Sequence, residues 1–432
     1  MKKFVKEIIV FVLQKEARQV IKKYHPKIIT VTGSVGKTST KDAIFSVLSS
    51  SQHIRKSEKS FNSEIGVPLT ILGCDNGWNN PFAWLSNVFH GLSLIASEHE
   101  YPEWLVLEVG ADRPSDIRSL TTWLKPDISV VTRFGKTPVH VEYFKNREDL
   151  IQEKAYLVRA LGPAGIAILN YDDEDVRAFG DYTESKKIFY GFDGGIIKAS
   201  HYKVLTEKNG KGNFPTGIGF NVDYAGTPLD IELFGSLGKH HVYPALAAMA
   251  VGYAQGIHPE QMKLALKNNI PPSGRMHLID GIKGSLIIDD TYNASPVATT
   301  EALQTLGTLA KVKRRIAVLG DMMELGAHSS EAHKDIGTLA AKSCDIFVTV
   351  GVRSRRMAEA AQDAGMSEKN ILQFDSSQEA GAFIQNMIAE GDVVLVKGSQ
   401  SMRMEMAVKE IMLNPDKAGE LLVRQEEEWT TR

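Results

Sequence analysis

Several things are scarce in this chain, and each absence closes off a class of answer. Cysteine occurs only at Cys74 and Cys344 among 432 residues, far apart and in no metal-ligand spacing. That excludes a disulfide framework and a zinc cluster, and makes a reducing, cytoplasmic setting the expectation. Long apolar runs are missing too. The run at residues 8–13 falls well short of the roughly eighteen residues a bilayer span needs. A basic excess is lacking: the formal net charge is −2, so no general electrostatic attraction to nucleic acid is expected. No internal repeat or low-complexity segment is present. Met1-Lys2-Lys3 ahead of the apolar run faintly resembles a secretion signal, but Glu7 precedes the run and no small-residue cleavage site follows. An amphipathic helix packed on the next domain is the expectation, with Lys2, Lys3, Lys6, Lys22 and Lys23 leaving membrane-surface contact as a second reading.

What is present is an ordinary globular composition, 43% hydrophobic and 24% charged, long enough for two or three domains. Its most informative stretch is Thr32-Gly33-Ser34-Val35-Gly36-Lys37-Thr38-Ser39-Thr40. Residues 27–31 before it read as a short buried strand, and residues 37–50 after it have helical composition without Gly or Pro. Strand, glycine turn and helix together make a phosphate cradle. Glycines let the backbone approach the phosphates, and the amides of Gly33, Ser34, Val35, Gly36 and Ser39 are candidate donors at the positive end of a helix. Lys37 is placed to reach terminal phosphates and the Thr38 hydroxyl to face a magnesium ion. The usual pattern wants glycine at Val31, so this is a shorter loop pivoting on Gly33 and Gly36.

From residue 27 to about 180, strand and helix alternate, with strand candidates at 28–31, 104–109, 128–132 and 166–169. This rhythm predicts an α/β fold with an open, mainly parallel sheet whose ligands sit beyond the carboxyl ends of the strands. Glu108 closes an apolar strand, where a lone buried carboxylate is costly; it is either a surface residue at a strand end or a magnesium ligand. Asn146 caps a helix whose apolar face runs through Leu150, Ile151, Leu157, Val158 and Leu161, and Lys154 lies on that face. Such a lysine either snorkels to the edge or, desolvated, becomes a neutral amine able to take up carbon dioxide as a metal-binding carbamate. Residues 187–236 read as β-rich and 237–256 as helical. Pro271-Pro272-Ser273-Gly274 reads as a hinge, after which the α/β rhythm resumes with strand candidates at 286–290, 315–319, 346–350 and 393–396. The expected division is an N-terminal helix (1–26), a central ATP-binding domain (27–272) and a Rossmann-like C-terminal α/β domain (273–432).

At this point the chain resembles the Mur ligase family. The carrying motifs are the short T-G-S-x-G-K-T-S loop, Asn62-Ser63-Glu64-Ile65-Gly66-Val67-Pro68-Leu69, Glu108-Val109-Gly110-Ala111, His140-Val141-Glu142 with Lys154 fourteen residues beyond the histidine, and Gly274-Arg275. Asp289-Asp290-Thr291-Tyr292-Asn293-Ala294-Ser295-Pro296, Leu319-Gly320-Asp321-Met322-Met323-Glu324-Leu325-Gly326 and Lys397-Gly398-Ser399-Gln400 follow in order. The resemblance implies an ATP-dependent amide ligase that forms an acyl phosphate. Its closest subgroup joins D-alanyl-D-alanine to UDP-MurNAc-tripeptide in peptidoglycan precursor synthesis. It further implies two Mg2+ ions, one on Thr38 and Glu108 and one on His140 and a carbamylated Lys154. Arg275 is assigned to ATP and Asp290 to its ribose, closing over the nucleotide when the domains shut. Asn62 is assigned to the substrate side, and Asn293 and Lys397 to the γ-phosphate or the amine substrate. No nucleic-acid or membrane-spanning partner is implied, and the oligomeric state stays open.

Some positions depart from the family pattern. Only 26 residues precede the first strand, too few for the UDP-sugar-binding domain expected there. His241 and Pro244 stand where asparagine is common, Arg133-Phe134-Gly135 replaces N-I-G, and Gln400 replaces an arginine. Alternatives therefore stay open: a ligase of folylpolyglutamate- or cyanophycin-synthetase type acting on a non-murein carboxylate, a P-loop kinase or switch GTPase, or a nucleotide-binding scaffold.

Overall fold

The structure is a computed structural model describing residues 3–58, 61–78, 80–135, 143–209, 212–426 and 429. The chain divides into two compact units, one of residues 1–200, 221–231 and 242–269, the other of residues 201–220, 232–241 and 270–432.

The first unit is built around a strand buried along nearly its whole length. β1 (Lys27–Thr32) is rich in β-branched residues and exposes only Lys27, as expected of a parallel strand covered on both faces. With β2 (Ile54–Lys56), β3 (Trp104–Glu108), β4 (Ile128–Val131), β5 (Ile166–Asn170) and β6 (Lys186–Gly191) it joins a sheet whose order here is β2-β3-β1-β4-β5-β6, while the residues of β7 (Ile197–Asn209), β8 (Gly212–Tyr224) and β9 (Thr227–Phe234) are divided between the two units. β3 and β4 flank β1 in parallel, with Val31 opposite Glu108 and Thr32 opposite Val131. The chain thus winds to one side of β1 and then to the other. The carboxyl ends of these three strands form the switch point where ligands of such sheets bind.

Six helices of this unit matter below: α1 (Lys3–Tyr24), α2 (Lys37–Leu48), α3 (Gly66–Leu72), α4 (Pro81–Ala96), α5 (Asp116–Leu120) and α6 (Arg147–Arg159). Leu13, Ala17 and Val20 line one face of α1 and bury with Leu69, Leu72, Trp84 and Leu94 of α3 and α4 in one core cluster. Pro81 opens α4, and the Asn80 side chain caps it by accepting from the amides of Phe82 and Ala83.

The second unit holds a six-stranded sheet of β10 (His277–Gly281), β11 (Ser285–Asp290), β12 (Arg314–Gly320), β13 (Ile346–Val350), β14 (Ile371–Phe374) and β15 (Asp392–Lys397), ordered β10-β11-β15-β12-β13-β14. β10 runs antiparallel to β11 and the rest are parallel. The mainly parallel α/β architecture expected of both halves is what the chain adopts. β2, β10 and β14 were not foreseen: β2 and β14 are short, with no residue fully buried, so neither writes a continuous apolar run.

Candidate active site

The turn after β1 is shaped by backbone geometry. Gly33 has φ +139°, and a Cβ there would lie 2.0 Å from the Thr132 hydroxyl oxygen, so only glycine fits. Gly36 has φ +84° and stands as N-cap of α2 without any side-chain cap. The loop is tied to the end of β4: the Ser34 and Val35 amides donate to the Arg133 carbonyl at 2.8 and 3.2 Å, and the Thr132 hydroxyl donates to the Val35 carbonyl at 2.7 Å. Ser34 and Val35 thus spend their amides on this anchor, so these two are not the donors that the sequence suggested, and the backbone amides at the start of α2 are the candidates for an anion.

Two lysines converge on one carbonyl. Lys37 Nζ donates to the Gly33 oxygen at 3.1 Å and Lys154 Nζ to the same oxygen at 2.6 Å. Lys154 arrives from α6, which Asn146 caps by accepting from the Asp149 amide, and its side chain is buried with the Phe134 ring 5.7 Å away. Burial, and then the like charge of Lys37, hold the Lys154 amine well below the ordinary lysine range; Asp112 opposes them weakly. The snorkelling reading fails, because the amine points inward.

Glu108 ends β3 beside this loop. It is buried; its Oε1 accepts from Asn62 Nδ2 at 3.2 Å, and its Oε2 has no hydrogen-bond partner among the described residues. The surface reading of Glu108 is therefore excluded. An orphaned, buried carboxylate oxygen is a hard donor suited to Mg2+. Asn62 is positioned by its own carbonyl, which accepts from the Gly110 amide at 2.8 Å. Among the described residues no three His, Cys, Asp or Glu side chains form a metal cluster. His140 lies outside the described residues.

Sequence reasoning missed Lys41. One turn after Lys37 on α2, it is almost fully buried and donates to the Ser57 carbonyl at 2.7 Å, while the Ser57 hydroxyl accepts from the Glu108 amide at 3.1 Å. Burial lowers its pKa; Asp42 and then Glu108 pull it back up. The signal was available: a lysine among Thr40, Ala43, Ile44 and Val47, all buried on α2.

The second unit gathers its own candidates at the carboxyl ends of β11 and β15, where Asp290 and Lys397 are register partners. Lys397 Nζ donates to Asp290 Oδ2 at 2.6 Å and to the Asn293 carbonyl at 2.9 Å. Asp290 Oδ1 accepts from the Met276 amide at 3.2 Å, and the Arg275 guanidinium lies 3.9 Å from the Tyr292 ring centroid. Burial raises the Asp290 pKa, offset first by Lys397 and then by Arg275. Asn293 Oδ1 accepts from the Ala294 amide at 2.9 Å and the Gln400 amide at 3.3 Å. Asp290, Asn293 and Lys397 are thus one network, with Arg275 beside it. His241 is buried and held well below the usual histidine range by burial, then by His240 and Arg275. Pro244 is buried in the helix Val242–Ala254.

Residues 31–252 match the Mur ligase middle domain and residues 274–400 the Mur ligase, glutamate ligase domain. The chain is similar to the UDP-N-acetylmuramoyl-tripeptide–D-alanyl-D-alanine ligase of Bacillus subtilis, at 28% identity over 93% of this chain and 79% of that protein. To the ligase of the same name from Mycobacterium leprae it is 31% identical over 87% of this chain and 71% of that one. A crystal structure of MurF from Thermotoga maritima in complex with ADP superposes with a TM-score of 0.74 at 24% identity, covering 93% of this chain and 83% of that one.

Proposed function

This chain belongs to the Mur ligase family, and from that premise we propose that it is an ATP-dependent ligase joining D-alanyl-D-alanine to UDP-MurNAc-tripeptide. The observation that carries the proposal is the meeting of Lys37 and Lys154 on the Gly33 carbonyl, beside the orphaned oxygen of Glu108.

In the proposed reaction an oxygen of the tripeptide carboxylate attacks the γ-phosphorus of ATP. The bond to the β–γ bridging oxygen breaks, ADP leaves, and an acyl phosphate forms. The amine of D-alanyl-D-alanine then attacks the acyl carbon, inorganic phosphate departs with the C–O electron pair, and the nitrogen loses a proton to give the amide. Phosphoryl transfer needs positioning and charge neutralisation more than covalent chemistry from the protein. Lys37 and the start of α2 would hold the terminal phosphates. Glu108 and Thr38 would hold one Mg2+, and His140 with Lys154 as a carbamate a second. Metal bound there would neutralise charge on the phosphate oxygens. The carbamate rests on a buried amine with lowered proton affinity, the form that reacts with carbon dioxide. Asn62 would fix the Glu108 carboxylate that it already touches. Arg275 and Asp290 are proposed nucleotide contacts, Asp290 accepting one donor on each oxygen among the described residues. Lys397 and Asn293 would act through that carboxylate.

The test is direct. The protein is given ATP, D-alanyl-D-alanine and UDP-MurNAc-tripeptide, and the joined product is sought by mass spectrometry alongside phosphate release. Absence of product, with turnover on a folyl or other non-murein carboxylate, would transfer the activity to another branch of the family.

A further inference from the structure

α4 carries an apolar stripe on the wrong side. Trp84, Gly91 and Leu94 face the core, yet Phe82, Leu85, Phe89 and Leu92 are 80%, 52%, 62% and 49% exposed. Their spacing of three, four and three residues places them in one line, about 15 Å long at 1.5 Å per residue. α1 packs beside α4: a Cβ on Gly91 would meet the Glu16 carboxylate, and Lys23 Nζ donates to the Leu94 carbonyl at 3.0 Å. Those two contacts make the helices run side by side in the same direction. Ile8 and Phe11 of α1, also exposed, therefore lie toward the end of α4 that bears Phe82 and Leu85.

Charge identifies what covers this face. The outward line of α1 that begins with Ile8 and Phe11 continues through Lys15 and Lys22, with Lys15 Nζ 4.5 Å from the Phe11 ring centroid. The first 24 residues hold seven basic and two acidic side chains in a chain of net charge −2, and Glu16, one of the two acids, is buried. Residues 81–96 contain no Asp, Glu, Lys or Arg. Exposed phenylalanine and leucine on a helix without charged residues, beside the exposed Lys15 and Lys22 of α1, match the interface of a bilayer with anionic headgroups, the exposed Asp75, Glu98, Glu100 and Glu103 lying beyond the two ends of α4. A protein face would leave the lysines asking for acidic partners and the phenylalanines for a groove at the same time.

We infer that this α1–α4 face docks the protein on the surface of an anionic bilayer, α4 lying in the headgroup plane with Phe82 and Phe89 inserted. The contact is peripheral, and no described helix is long and apolar enough to cross a membrane. It stands independently of which substrate the ligase takes.

The experiment is co-sedimentation of the full chain with vesicles of phosphatidylcholine alone or mixed with phosphatidylglycerol, at low and high salt. Binding is expected only to the mixed vesicles, weakening as salt screens the lysines. Phe82→Ser with Phe89→Ser should lower the partition at least tenfold while the melting temperature holds, since both rings are in solvent already. Replacing Lys15 and Lys22 by Gln should weaken binding and flatten its salt dependence. Failure to bind the mixed vesicles, or binding indifferent to the two Phe substitutions, overturns the inference. So does a concentration-dependent dimer in sedimentation velocity that the Phe substitutions abolish, which would give the face to a second copy.

Discussion

Lys154 and Lys397 are both buried lysines at the carboxyl end of a parallel sheet, one in each unit, and they are held in opposite ways. Lys397 meets a carboxylate, Asp290, at 2.6 Å, so its charge is matched within the unit that holds it. Among the described residues Lys154 donates only to a backbone carbonyl, with the like charge of Lys37 sharing that oxygen and Asp112 opposing it from farther off. A matched buried pair is self-sufficient, whereas an unmatched buried amine costs stability and is kept where something must come to it. The first unit is poised to receive negative charge; the second has already supplied its own.

The largest break in this contrast comes from the loop. Lys37→Ala should cut ATP turnover by about three powers of ten or more, the scale at which a lost phosphate-stabilising group acts, with an unchanged circular dichroism spectrum. Turnover that survives would mean that the loop does not face the phosphates. Next is Lys154→Ala, expected to lose roughly two to three powers of ten in ligation and to be partly rescued by a short-chain carboxylate standing in for the carbamate. Lys154→Met sharpens the point: activity falls while thermal stability holds or rises, because an unmatched amine has been removed from the interior. Lys397→Met should do the reverse to stability. It strands the Asp290 carboxylate and lowers unfolding free energy by about 3 kcal/mol in denaturant titration, and adding Asp290→Asn should restore most of the loss.

The poised site was more legible in the sequence than the matched one. Gly33 and Gly36 announce positive φ, Glu108 is conspicuous as a carboxylate ending an apolar strand, and Lys154 interrupts a helical face; each signal is local. The contacts that make a site of them are not. Lys154 reaches Gly33 across 121 residues, Asn62 reaches Glu108 across 46, and the loop anchor at Thr132 and Arg133 lies about a hundred residues beyond the loop. No periodicity encodes such meetings; the parallel register of β1, β3 and β4 does. Lys397 and Asp290 pair for the same reason, by the register of β11 with β15, so a sequence reader sees two separate polar strand ends and not one ion pair. Lys41 is hidden for a different reason: one turn after Lys37, it sits inside the polar start of α2, and only the buried face it shares with Ala43, Ile44 and Val47 sets it apart.

The smallest effect concerns Asp289, the neighbour of the matched pair. It is fully buried, and burial pushes its carboxyl from 3.8 up to about 6, against hydrogen bonds from the Thr291 hydroxyl, the Thr291 amide and the Gly274 amide. A carboxyl with a raised folded-state pKa binds its proton more tightly folded than unfolded. Its stabilising contribution is therefore complete below about pH 4 and lost as the pH climbs through 6. The shift limits that contribution to at most about 3 kcal/mol. Unfolding free energy measured from pH 4 to 8 should thus fall across this window. Asp289→Asn, which keeps the Thr291 and Gly274 donors supplied with an oxygen, should flatten that fall. The matched pair next to it explains why the shift is upward: with Lys397 already committed to Asp290, Asp289 meets only dipoles among the described residues, dipoles compensate burial incompletely, and the Asp290 charge adds to the rise. A slope that persists in Asp289→Asn would move the titration to another buried acid, and Glu16, raised to about 7 by burial in the first unit, is the group to substitute next.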